Sequence, residues 1–201
     1  MHLYVGLMGS ETWRADDDRV TFAVGRVARS SARMESIARV LWRNLANSPS
    51  AKHAMPLGLV PLLTGCERML PFVEHEPAAE QSCLAAVREA KMSHDLRNKL
   101  VHTQWELNTI AGDRWDPRIV GIAKQVPPSW ALDNFDFVQI RMETAGWRLF
   151  GVELLGGTGD QSVRVGHPQY DHYLAIVEGD FELLKHGSIR VNPARASKRA
   201  D

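Results

Sequence analysis

The sequence predicts an all-α fold, an antiparallel helical bundle carrying a minor β-hairpin insertion. Three observations predict it. Apolar residues recur near every 3.6 positions in five long stretches. The breaks between them are rich in Pro, Gly, Asn and Ser, as at Asn47-Ser48-Pro49-Ser50, Pro127-Pro128 and Gly156-Gly157-Thr158-Gly159-Asp160. β-prone runs are confined to the region between Trp105 and Val126.

The elements follow in order. Residues 1–17 have no clear period and read as a loose lead-in, with Asp16, Asp17 and Asp18 as an N-cap and a favourable negative first turn. From Val20 to Asn47 the stripe Val20, Val24, Val27, Met34, Ala38, Leu41 and Leu45 predicts a long amphipathic helix. Arg26, Arg29, Arg33, Arg39 and Arg43 occupy its other face, which reads as solvated. A second helix is expected from about Met55 to Phe72, with Pro61 kinking it or delaying its start. Cys66 in its stripe reads as a small buried hydrophobe. The third helix begins near Glu76-Pro77 and runs to about His102. Trp105–Ile110 and Arg118–Val126 are expected to pair across Ala111-Gly112-Asp113. A fourth helix covers about Leu132 to Leu155. The glycine-rich run after it lacks the Gly-Lys-Ser/Thr ending of a phosphate loop and reads as a linker. A last helix is expected from Pro168 to His186, closed by Gly187, before a polar, basic and disordered tail over 191–201. The organisation is a lead-in (1–17), a helical domain (18–156) and a C-terminal helix with a basic tail (157–201).

Composition bounds the function. The chain has 201 residues, enough for one domain with an appendage. At 44% apolar and 24% charged it is neither wholly disordered, collagenous nor a membrane bundle. Twenty-four basic and 24 acidic residues cancel, so a general basic surface for gripping long nucleic acid is not expected, whereas a local basic site is compatible. Two cysteines, Cys66 and Cys83, make no disulfide framework and have no zinc-like partners. With no targeting signal and no membrane-length apolar run, the expected location is the cytoplasm.

One segment carries chemistry: Asp95-Leu96-Arg97-Asn98-Lys99-Leu100-Val101-His102-Thr103-Gln104-Trp105. At helical spacing His94, Asn98 and His102 form a row, with Arg97 beside it. A guanidinium binds phosphate oxygens and stabilises charge developing on them. A histidine moves a proton near neutral pH. His94, Asp95, Lys99 and Trp105 flank the motif as candidate substrate contacts, Trp105 as a stacking surface for a base. No metal ligand set and no cofactor are expected.

The run Arg97-Asn98-Lys99-Leu100-Val101-His102, at the end of the third helix, resembles the Arg-x(4–6)-His signature of the HEPN superfamily. Arg68–His75 and Arg88–His94 also satisfy the loose spacing, and composition alone yields about two such matches. Requiring Asn directly after the Arg and four residues before the His lowers the expectation to about 0.02, and only the Arg97 copy passes. The resemblance spans roughly residues 18–156. It implies a HEPN-like bundle that forms a homodimer, with two motifs facing one cleft. It further implies metal-independent RNA cleavage leaving 2′,3′-cyclic phosphate and 5′-hydroxyl ends. Arg97 and His102 would be catalytic and Asn98 would position the phosphate or the histidine. Many members are toxins paired with an antitoxin, or phage-defence effectors. Others are non-catalytic modules binding nucleotide, RNA or protein. The neutral net charge favours a short or structured RNA, such as a tRNA loop, over sequence-blind binding.

Overall fold

The computed structural model describes residues 8–46, 55–73, 77–101, 108–109, 115–116, 133–156, 163–185 and 187–192. Five α-helices dominate: α1 Met8–Ala46, α2 Leu59–Met69, α3 Pro77–Val101, α4 Asp133–Gly156 and α5 Tyr170–Glu178. A 3-10 turn, Leu70–Phe72, extends α2. Two antiparallel ribbons complete it: β1 (Asn108–Thr109) with β2 (Trp115–Asp116), and β3 (Phe181–Leu183) with β4 (Ile189–Val191).

The core is one cluster drawn from all five helices. Val27, Met34, Leu41 and Leu45 of α1 meet Leu62, Leu63 and Cys66 of α2. Cys83, Val87, Ala90 and Leu100 come from α3, and Phe135, Val138, Met142, Leu149 and Val152 from α4. Tyr170, Leu174 and Val177 of α5 close it. The α1 stripe is the one expected from the periodicity, whereas α4 buries a different face from the one its spacing suggests: Phe137 and Ile140 are exposed, and Trp147, Phe150 and Leu154 are only partly buried.

Helix α4 is the hub, packing on α1, α3 and α5. Its contacts with α1 advance together along both chains. Arg26 pairs with Asp136 at 3.0 Å, Ser30 Oγ donates to Glu143 at 3.2 Å, and Asn44 Nδ2 donates to Glu153 at 3.5 Å. The two helices therefore run in the same direction, and the bundle is not antiparallel throughout. Three residues of the α1 arginine row are engaged: Arg26 with Asp136, Arg39 with Glu35, and Arg33 lying over the Trp147 ring at 4.8 Å.

Five expectations need correction. Helix α1 begins at Met8, well before the three aspartates. The segment 8–19 contains no proline, so nothing in the backbone stops the helix from propagating back through it. Helix α2 begins at Leu59, after Gly58 at φ +85°, with Pro61 in its first turn where a missing N–H costs nothing. The last helix ends at Glu178, not His186. Gly179 at φ +85° caps it, its N–H reaching Ala175 and Ile176 carbonyls, and the chain turns into the β3–β4 ribbon. Residue 191 closes that ribbon, so the ordered chain extends into the stretch read as a polar tail. The first ribbon pairs Thr109 with Trp115 and Asn108 with Asp116; its first arm lies where expected, and its second precedes Arg118. Residues 118–126 lie outside the described residues.

Two glycines show opposite packing. A Cβ on Gly151 would sit 2.8 Å from Val177 Cγ2 and 3.2 Å from the Tyr173 carbonyl oxygen, so its absence lets α5 close on α4. Gly25 in α1 meets nothing within 4 Å. Gly25→Ala should stabilise the protein by about 0.5–1 kcal/mol through helix propensity alone. Gly151→Ala should lower the urea midpoint, because overpacking of about 1–3 kcal/mol outweighs that gain.

Candidate functional site

Helix α3 buries a stripe of small and apolar residues: Ala79, Cys83, Ala86, Val87, Ala90, Ser93 and Leu100. Arg97 occupies the next place on this stripe, four residues after Ser93 and three before Leu100. A cation is thus held half-buried where the pattern asks for a hydrophobe. Its Nη1 donates to Asn98 Oδ1 at 2.8 Å. Its Nε is enclosed without a hydrogen-bond partner. Among the described residues Arg97 has no carboxylate partner.

Two neighbours share this condition. Ser93 is fully buried with Oγ unpartnered, and the enclosed Nδ1 of His94 is unpartnered as well. Each unmet buried hydrogen bond costs about 1–3 kcal/mol, so three within little more than one helical turn make a polar cluster that a bound polar group could satisfy. His94 lies one turn before Arg97 and Asn98. Burial first, and the Arg97 charge second, hold its imidazole below the ordinary histidine value. Glu35 of α1 and Asp95 act in the opposite sense. Glu35 itself is paired with Arg39 at 2.6 Å.

The other expected residues divide. Asp95 and Lys99 pair with each other at 2.8 Å on the side of α3 opposite the Arg97 stripe. His102 and Trp105 lie outside the described residues. The structure therefore brings Arg97, Asn98 and His94 together and adds Ser93 and Glu35. Ser93 leaves a signal in the sequence, as a polar residue four before Arg97 on an otherwise apolar stripe. Glu35 leaves none, because only the packing of α1 places it by His94.

Glu67 and the two thiols serve the fold. Glu67 of α2 accepts from Arg88 at 2.8 Å and Lys91 at 2.9 Å, and these hydrogen bonds hold its carboxyl below the ordinary value. Burial pushes the thiols of Cys66 and Cys83 up to about 12, which leaves them protonated and unreactive at neutral pH. Among the described residues no three His, Cys, Asp or Glu side chains converge in a way that could hold a metal ion. No described helix is long and apolar enough to cross a membrane.

No protein-family model, curated protein or solved structure matches the chain.

Two outcomes follow from a cation with no carboxylate partner among the described residues and a depressed histidine. Arg97→Met keeps the stem and removes the charge, and should raise the stability by about 1 kcal/mol, read as a higher urea midpoint. With its folded value below 6.5, His94 leaves the unfolded chain holding more protons in that window, so stability rises with pH there. As pH falls through 6.5 that share is lost, and His94→Gln should flatten the dependence in parallel urea titrations.

Proposed function

We propose that the protein is a metal-independent endoribonuclease of HEPN type, acting through Arg97, Asn98 and His102 in a homodimer. The observation that supports it is Arg97, a cation on a core stripe with no acidic partner among the described residues and its plane fixed by Asn98. Stability alone gives no reason to keep such a charge there. An anionic ligand supplies the missing partner, and a phosphodiester fits a fork of guanidinium donors.

In the proposed reaction the ribose 2′-oxygen attacks phosphorus while the bond to the 5′-oxygen breaks. The products are a 2′,3′-cyclic phosphate and a 5′-hydroxyl. Arg97 stabilises the charge that accumulates on the non-bridging oxygens. His102 takes the 2′-hydroxyl proton or supplies one to the leaving oxygen, and a dimer provides a histidine for each task. Asn98 accepts one Arg97 N–H and leaves the other guanidinium donors for the phosphate. A toxin or phage-defence role, an antitoxin partner and a tRNA target belong to the same reading. A non-catalytic module binding nucleotide, RNA or protein is the second reading, because Arg97 and Asn98 can clamp a phosphate without a histidine.

The test is cleavage of total tRNA and a mixed-sequence oligonucleotide in EDTA, with product ends mapped. Cyclic phosphate ends are expected, with rates at least about 100-fold lower for Arg97→Ala and His102→Ala. Cleavage indifferent to both substitutions would sink the assignment. Binding without cleavage, lost in Arg97→Ala, would favour the second reading.

A further inference from the structure

The polar cluster on α3 holds two groups of different kind. Arg97 is a permanent cation, whereas His94 is a switchable one. Ser93, Arg97 and His94 fall within about 100° of the helix circumference and within little more than one turn. Each carries an enclosed polar atom without a partner: Ser93 Oγ, His94 Nδ1 and Arg97 Nε. Ser93 is wholly buried. The charges acting on the His94 ring are Arg97 and Asp95 on its own helix and Glu35 from α1. Asp95 is turned outward and paired with Lys99, and Glu35 is paired with Arg39, so both carboxylates are already engaged. After burial, the charge that acts most on His94 is the Arg97 guanidinium, which repels a second positive charge and has no carboxylate partner among the described residues.

We propose that Arg97 and His94 form one proton-linked oxyanion site: a phosphate group bound at the Arg97 guanidinium is met by the His94 imidazole, which takes a proton from solvent as the anion enters. This rests on the reading of Arg97 as a phosphate-binding residue and adds His94 as a contact and Ser93 as a neutral donor. The physical reason is compensation. An anion on Arg97 offsets the repulsion that, together with burial, disfavours the charged ring, and it offers that ring a hydrogen-bond acceptor. The empty site carries one positive charge and the loaded site carries two, balanced by the charge of the phosphate. Affinity for a dianionic phosphate consequently rises as pH falls, over the range where the dianion is still present. A phosphodiester, with one negative charge, draws the proton less strongly than a terminal phosphate.

The experiment is a pH titration of the full chain by NMR, reading the His94 ring carbon and the Arg97 Nε–H resonance, with inorganic phosphate as the probe. His94→Gln and Arg97→Gln assign the two signals. Without phosphate the His94 midpoint should lie below 6.5, and saturating phosphate should raise it by at least about 0.5 unit. Arg97→Gln should raise the midpoint without phosphate and abolish the response to it. Glu35→Gln should lower it. His94→Gln should weaken phosphate binding several-fold at pH 6 and leave it unchanged at pH 8. An Arg97 resonance that moves with phosphate while the His94 midpoint stays fixed would overturn the proton link and leave the Arg97 reading standing. Neither signal responding at tens of millimolar phosphate would overturn both.

Discussion

The side chain of Arg148 holds three helices in register. Its Nε donates to the Val177 carbonyl at 2.6 Å, at the C-terminal end of α5, and its Nη1 bonds Glu89 of α3. The two side chains are 15% and 20% exposed, so the pair is largely removed from water. Removing one member of such a pair costs about 3–5 kcal/mol, because the other is left buried and uncompensated. The bond to Val177 requires α5 to end where it does. Gly179 supplies that ending, and the bare Cα of Gly151 lets α5 descend far enough for Arg148 to reach it. The β3–β4 ribbon is then tied down by Trp147, whose Nε1 donates to the Gly187 carbonyl at 3.0 Å. The interaction also fixes α3 against α4, and so the level at which Arg97 leaves the helix.

Arg148 and Arg97 illustrate one side chain under two regimes. Both are drawn inside, and both would be unfavourable if left alone. Arg148 meets a carboxylate and a carbonyl, and its donors are consumed by the fold. Among the described residues Arg97 meets an amide oxygen, and no carboxylate takes up the rest of its fork. The first case is architecture. The second leaves a charge that the protein keeps at the expense of its own stability, and such residues concentrate where a ligand is handled.

Much of this was legible in the sequence, for identifiable reasons. Helices α3 and α4 were bounded to within a residue or two, because Pro77 opens one and Gly156-Gly157 closes the other. The α1 start is hidden in the sequence because Asp16–Asp18 imitate a cap, although acidic residues are equally at home inside a helix N-terminal stretch. The end of α5 was misplaced because the apolar spacing continues through Phe181 and Leu184, whereas the chain has already turned at Gly179; residues two apart on a ribbon and three apart on a helix overlap over so short a span. Arg97 and Asn98 were legible from spacing alone. That Arg97 faces inward, that Ser93 is buried with it, and that Glu35 lies by His94 depend on how α1 and α3 pack, which no local pattern encodes.

The two thiols give the molecule an internal clock. Cys66 lies on α2 and Cys83 on α3, both fully buried, and both too weakly acidic to react while covered. A soluble alkylating reagent can modify them only when those helices part from the core, so the rate of labelling counts the openings of that side of the bundle.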